Sequence, residues 1–87
     1  MERVINKANL DELIGMVRTY LYSGSFGIFE MRRKCDEITA FANKNFPHAL
    51  RMVDLVQTIF SYGGFKRDAT NEDVYKVLEI LGWTVKE

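Results

Sequence analysis

The sequence predicts an all-α protein, a compact bundle of four helices within a single helical domain spanning residues 1–87. Apolar residues recur at helical spacing in four segments, turn residues separate these segments, and the alternating pattern of strands is nearly absent. A chain of 87 residues, 47% of them apolar, is long enough to bury one core. We expect helices at about 9–22, 26–43, 47–62 and 71–81, with the third helix central.

The first predicted helix opens with Asn9 and Glu12, which have the three-residue spacing of a capping box. Gly15 lies inside this helix at a cost of about 1 kcal/mol relative to alanine. We therefore expect the backbone of another segment to approach closely at that position. The apolar stripe of the helix consists of Leu10, Leu13, Ile14, Val17 and Leu21.

The second predicted helix begins near Phe26 and runs to about Asn43. Its apolar stripe is expected to contain Ile28, Met31, Cys35, Ile38 and Ala42. Its exposed face carries two acid–base pairs at the favourable i,i+4 spacing, Glu30 with Lys34 and Arg33 with Glu37.

The third and fourth helices have clear boundary signals. Pro47 suits the first turn of the third helix, which is apolar around most of its circumference and is therefore expected to be packed on several sides. Thr70 and Asp73 have the spacing of an N-terminal capping pair for the fourth helix. Gly82 is a natural residue just beyond its C-terminus, and Trp83 is expected to fold back over the helix end.

The charge and cysteine content favour a soluble cytoplasmic protein that is not associated with a membrane. Twelve basic residues balance twelve acidic ones, so no strong overall field attracts nucleic acid or an anionic membrane. A single cysteine cannot form an internal disulfide, which favours a reducing compartment. We find no signal-peptide pattern in the sequence, and no segment approaches the roughly 20 apolar residues of a membrane span.

The sequence does not favour catalysis, a metal site or a cofactor. Cys35 and His48 are the one conceivable nucleophilic pair, but helical geometry places Cys35 about 15 Å from the turn that precedes His48, whereas a catalytic dyad needs about 3 Å. The acidic residues come as sequence neighbours, which point in different directions on a helix. Phosphate-binding, dinucleotide-binding and calcium-binding motifs are missing from the sequence. We therefore expect a non-enzymatic protein.

Two aromatic segments that contain glycine, residues 20–29 and 60–65, are the leading candidates for a functional surface. Each lies where a helical pattern breaks, and helices that alternate in direction would bring both to one end of the bundle. The rings either cap the core or bind a partner, since aromatic residues are common in both settings. The candidate partner-binding residues are Tyr20, Tyr22, Phe26, Phe29, Tyr62, Phe65, Lys66 and Arg67.

These observations predict a small protein-binding domain, a regulator, adaptor or inhibitor of a larger protein. One alternative is a homodimer in which the same aromatic residues pair with a second copy. Another is a nucleic-acid-associated regulator that uses a basic face on helices two and three, formed by Arg32, Arg33, Lys44 and Arg51. A gel shift at about 50 mM salt tests that alternative, because phosphate-driven affinity is strongest at low salt.

Overall fold

Four helices and two short strands make up the part of the chain that the computed structural model describes, residues 3–22, 27–46, 49–61 and 69–87. Strand β1 (Val4–Asn6) leads into α1 (Lys7–Tyr22), and α2 (Ile28–Asn45) and α3 (Ala49–Ser61) follow. The chain ends with α4 (Asn71–Ile80) and β2 (Thr84–Lys86). The four predicted helices are confirmed and the described chain is mostly helical, but it also contains a small two-stranded parallel sheet that the sequence analysis did not predict. Among the described helices, none combines the length and apolar character needed to cross a membrane.

Helix α1 begins earlier than predicted, at Lys7, and its cap is Asn6. The Asn6 Oδ1 atom accepts a hydrogen bond from the backbone N–H of Asn9 at 3.0 Å. Asn6 is the last residue of β1 and so has the extended backbone that an N-cap residue requires. The proposed capping box of Asn9 with Glu12 is therefore wrong, because Asn9 already lies inside the helix.

Helix α2 runs two residues beyond its predicted end, to Asn45. The side-chain amide of Asn45 donates to the backbone carbonyl of Phe41 at 2.9 Å, which adds a side-chain hydrogen bond to the last turn of the helix. Phe46 follows in an extended conformation, and its buried ring packs edge-on against Phe41 with the centroids 6.2 Å apart. On the exposed face, Arg33 forms an ion pair with Glu30 at 3.7 Å.

Both predicted boundary signals of α4 are confirmed. Thr70 Oγ1 accepts from the N–H of Asp73 at 3.3 Å, and the Asp73 carboxylate accepts from the N–H of Thr70 at 2.9 Å. These bonds to Thr70 lower the pKa of Asp73. At the other end Gly82 adopts a φ of 97°, and the N–H of Trp83 donates to the Leu78 carbonyl at 2.9 Å. This is the Schellman arrangement, which turns Trp83 back over the helix.

The sheet joins the two ends of the described chain. β1 and β2 are parallel, with Val4 opposite Thr84, Ile5 opposite Val85 and Asn6 opposite Lys86. The N–H of Thr84 donates to the carbonyl of Arg3 at 2.7 Å, which extends the pairing by one residue. Ile5 is the buried member of β1 and connects the sheet to the helical core.

The core lies between the helices and the inner face of the sheet. Helix α3 supplies the largest share of the described buried residues and packs against both α1 and α2. This agrees with the strongly apolar sequence of that helix, although a regular bundle with a central third helix stays a prediction. Among the side chains of α1 and α3 whose burial the structure describes, the buried apolar ones are Leu10, Leu13, Ile14, Val17, Ala49, Met52, Val53, Val56, Ile59 and Phe60.

Candidate interaction surfaces

The structure describes only part of the aromatic set that the sequence singled out. Tyr20, Phe29 and the ring of Phe60 lie in described segments, and Tyr22 is the last residue of α1. The other predicted partner-binding residues lie outside the described residues: Phe26, Tyr62, Phe65, Lys66 and Arg67. Their convergence on one end of the molecule therefore stays a prediction.

Two of the described aromatic residues belong to the core or its margin. Phe60 is buried, and the guanidinium of Arg18 lies 5.0 Å from the centroid of its ring. Tyr20 is half-buried and packs against the core. A hydrogen bond with the Cys35 side chain raises the pKa of Tyr20. For these two rings the structure favours the core-cap interpretation.

Phe29 differs from them, because 86% of its surface is exposed. Its neighbour Ile28 is 84% exposed, so two large apolar side chains face solvent in the first turn of α2. The prediction that Ile28 belongs to the buried stripe is wrong. Burial increases along α2 from its N-terminus, through the half-buried Met31 and Cys35 to the buried Ile38 and Ala42. The apolar stripe therefore reaches the core only in the second half of the helix.

A groove of about 460 Å³ lies between α1 and α2 and passes over Gly15. A Cβ atom added to Gly15 would meet no atom within 4 Å, so the expectation of a close backbone approach is wrong. Because this glycine has no side chain, the groove stays open at its position. The groove is lined by Glu12, Gly15, Met16, Thr19, Lys34, Glu37 and Ile38.

The basic residues of the nucleic-acid alternative are all exposed but are spread over two helices. Arg32 and Lys44 are twelve positions apart on α2, which places them about 18 Å apart along the helix axis. Arg33 is paired with Glu30. Arg51 lies on α3 and lines a separate pocket, described below. These positions do not favour a single compact basic patch.

A polar network that the sequence analysis missed connects α1 to α4. The Tyr75 hydroxyl donates to Asp11 Oδ1, and the Asn71 amide donates to the same oxygen at 3.2 Å. Arg18 Nη2 in turn donates to Asn71 Oδ1 at 3.4 Å, and Lys7 Nζ lies 5.2 Å from the centroid of the Tyr75 ring. Local patterns could not reveal this network, because its hydrogen bonds join residues that are 53 to 64 positions apart in the chain.

Tyr75 is expected to make the stability of the protein depend on pH in the alkaline range. Burial, together with the hydrogen bond to Asp11 and the charge of that carboxylate, raises the pKa of Tyr75 to about 12. In the unfolded chain the pKa of tyrosine is about 10. The folded state therefore holds the phenolic proton more tightly than the unfolded chain does. The resulting contribution to the free energy of unfolding is complete below pH 10 and is lost as the pH rises to about 12.

The variant Tyr75→Phe isolates this contribution. It keeps the ring and removes the hydroxyl, so at pH 8 we expect a loss of about 1–2 kcal/mol in the free energy of unfolding. The difference between wild type and variant should shrink as the pH rises from 10 to 12. Urea unfolding followed by circular dichroism at several pH values measures this difference in the free energy of unfolding. A difference that stays constant over this range would contradict the assigned role of the hydroxyl.

A second pocket, of about 230 Å³, lies where three separate segments meet. Arg3 precedes β1, Arg51 and Leu55 are one turn apart on α3, and Leu81 and Trp83 follow α4. The Arg3 guanidinium lies 5.5 Å from the centroid of the Trp83 ring, and the Trp83 side chain is buried. The pocket therefore combines two cations with an apolar lining.

Among the described residues, no group of three or more histidine, cysteine or acidic side chains is placed to hold a metal ion. Cys35 is half-buried, and His48 lies outside the described residues, so their separation stays a prediction. Comparisons of the chain with models of protein families, with curated proteins and with solved structures find no match.

Proposed function

We propose that the protein is a small, non-enzymatic protein-binding domain that acts as a regulator, adaptor or inhibitor of a larger partner. The observation that supports this proposal is the exposure of Ile28 and Phe29 side by side at the start of α2. Phenylalanine and isoleucine are normally buried, and an exposed cluster of large apolar side chains is typical of an interaction site. We call these two residues the α2 patch.

The α2 patch overlaps with the aromatic surface that the sequence predicts and changes its membership at two positions. Phe29 belongs to both, whereas Tyr20 contributes to the core and is removed from the proposed contact residues. Ile28 is added because of its exposure. The remaining members of the predicted surface stay part of the proposal on sequence grounds alone: Tyr22, Phe26, Tyr62, Phe65, Lys66 and Arg67.

The variant Phe29→Ser tests this proposal once a partner has been captured from the native host and identified by mass spectrometry. Truncation of an aromatic residue at the centre of an interface costs about 2–4 kcal/mol of binding free energy. The dissociation constant should therefore rise at least about 30-fold. Isothermal titration calorimetry with the purified partner measures it.

The chain offers a matched control for the α2 patch. Ile80 on α4 is 82% exposed, close to the exposure of Ile28. We expect Ile28→Ser to weaken binding and Ile80→Ser to leave it nearly unchanged, and both variants should keep their thermal stability, since exposed substitutions usually change it by less than about 0.5 kcal/mol. Equal effects of the two substitutions would show that the α2 patch is not the contact surface.

Light scattering over a range of concentrations distinguishes a heterologous partner from a second copy of the chain. A mass that doubles with concentration in the wild type but not in Phe29→Ser would identify the α2 patch as a self-association surface. A constant monomer mass in both proteins agrees with a different partner. Both outcomes are judged from the effect of replacing Phe29, which is the most exposed of the described aromatic residues.

A further inference from the structure

The pocket of Arg3, Arg51, Leu55, Leu81 and Trp83, which we call the arginine pocket, is formed by segments that the fold holds in place. The hydrogen bond from the Thr84 N–H to the Arg3 carbonyl fixes the backbone of Arg3 beside β2. The Schellman turn at Gly82 orients Trp83. The walls of the arginine pocket therefore come from ordered segments at both ends of the described chain and from α3.

The charge in the arginine pocket is uncompensated within the described part of the chain. Neither Arg3 nor Arg51 forms an ion pair with a described carboxylate; the ion pairs of the described residues join Lys7 to Glu87 and Arg33 to Glu30. Two arginine side chains that line one small pocket favour an anionic ligand there. Guanidinium matches a carboxylate particularly well, because its planar donors form two parallel hydrogen bonds.

The remaining lining is apolar and suits one hydrocarbon side chain. Leu55 is half-buried, Leu81 is partly exposed, and Trp83 is buried. A volume of about 230 Å³ is below the range of about 300–1,000 Å³ for pockets that hold drug-sized ligands. The occupant therefore needs an apolar group and an anion within the dimensions of a single amino-acid residue.

We propose that the arginine pocket binds the C-terminal residue of a partner polypeptide that ends in leucine or a similar apolar amino acid. In such a residue the apolar side chain and the free carboxylate are attached to the same carbon atom. Both groups therefore fit within one small pocket whose lining combines two arginine side chains with apolar ones. A phosphate group or the side chain of aspartate offers the anion without the apolar group.

The site differs from the α2 patch in both its residues and its ligand chemistry. Neither Ile28 nor Phe29 lines the arginine pocket. The two hypotheses can therefore succeed or fail independently, because variants of one site leave the other unchanged.

Trp83 is the only tryptophan of the chain and lines the pocket, so its fluorescence reports on occupancy directly. The probes are N-acetyl-leucine, which mimics a C-terminal leucine, and N-acetyl-leucinamide, which has the same side chain but no negative charge. We expect saturable changes in Trp83 emission with the acid, and binding of the amide that is at least about tenfold weaker. Acetate over the same concentrations should cause no saturable change.

Arg51 provides the variant that tests the role of charge, because its side chain is exposed and its replacement does not disturb the core. Arg51→Gln should weaken binding of the acid at least about tenfold and leave binding of the amide unchanged. Arg51→Lys keeps the charge but loses the planar donor pair, so we expect an intermediate affinity. Arg32→Gln, at another exposed arginine, this one on α2, is the matched control and should bind the acid like the wild type.

Several results would overturn the proposal. Equal binding of acid and amide would show that the pocket recognises only apolar surface, and equal responses to N-acetyl-leucine and acetate would show an unspecific anion effect. An affinity of Arg51→Gln that equals that of Arg32→Gln would exclude a role for the pocket arginine. The absence of any saturable change in Trp83 emission, confirmed by an unchanged indole N–H resonance in NMR spectra, would also refute it.

Discussion

Replacing Trp83 with alanine is expected to lower the free energy of unfolding by about 3–5 kcal/mol. The Trp83 side chain is only 5% exposed and belongs to the main core cluster. Its removal leaves a cavity between the C-terminus of α4 and β2, and it also removes the ring against which the Arg3 guanidinium packs. A chain of this size has a total stability of about 5–10 kcal/mol, so this one substitution should remove about half of it.

Urea unfolding followed by far-ultraviolet circular dichroism measures this loss, because the variant no longer contains a tryptophan for fluorescence. Phe29→Ala is the appropriate comparison, since it truncates an aromatic ring that faces solvent. We expect that control to change stability by less than about 0.5 kcal/mol. If Trp83→Ala destabilises the protein no more than Phe29→Ala does, the assigned place of Trp83 in the core is incorrect.

The features that the sequence predicted correctly depend on neighbouring residues. The capping box of Thr70 and Asp73 and the turn at Gly82 each involve positions within a few residues of one another. Their chemistry is readable from local spacing, because the same side chains and backbone groups satisfy each other in any helix. The apolar periodicity of the helices is local in the same sense, and all four helices were found at nearly their expected positions.

The features that the sequence did not predict depend on contacts between distant parts of the chain. Val4 pairs with Thr84, and each strand has only three residues, too few for an alternating pattern to be recognised. The hydrogen bonds of Asp11 to Asn71 and Tyr75 cross a similar distance along the chain. The start of α1 was misplaced for a related reason, because its cap, Asn6, is the end of an unrecognised strand.

The candidate surfaces also depend on contacts between distant segments, which local sequence patterns do not reveal. An aromatic residue within a few positions of a glycine has the same sequence signature whether it is half-buried, as Tyr20 is, or exposed, as Phe29 is. Which of these occurs is decided by the neighbouring elements that pack against it. The arginine pocket was equally invisible, since Arg3, Arg51 and Trp83 come from three segments whose proximity depends on the parallel sheet.

Replacing Ile5 with alanine tests how firmly this sheet is part of the fold. Ile5 is 1% exposed, and it lies opposite Val85 at the centre of the pairing. Loss of a buried isoleucine side chain costs about 2–5 kcal/mol, because transfer free energy and cavity formation add. The same substitution at the exposed Ile80 should change stability by less than about 0.5 kcal/mol.

Two probes of unfolding make the Ile5→Ala experiment more informative than its magnitude alone. Trp83 lies directly before β2, so its fluorescence reports on the sheet, whereas circular dichroism reports mainly on the helices. Coincident transitions with a large loss of stability would show that the sheet and the helices unfold as one cooperative unit. A fluorescence transition at lower urea would show that the sheet separates first. Ile5→Ala and Ile80→Ala variants with equal midpoints would instead contradict the burial of Ile5, and with it the attachment of the sheet to the core.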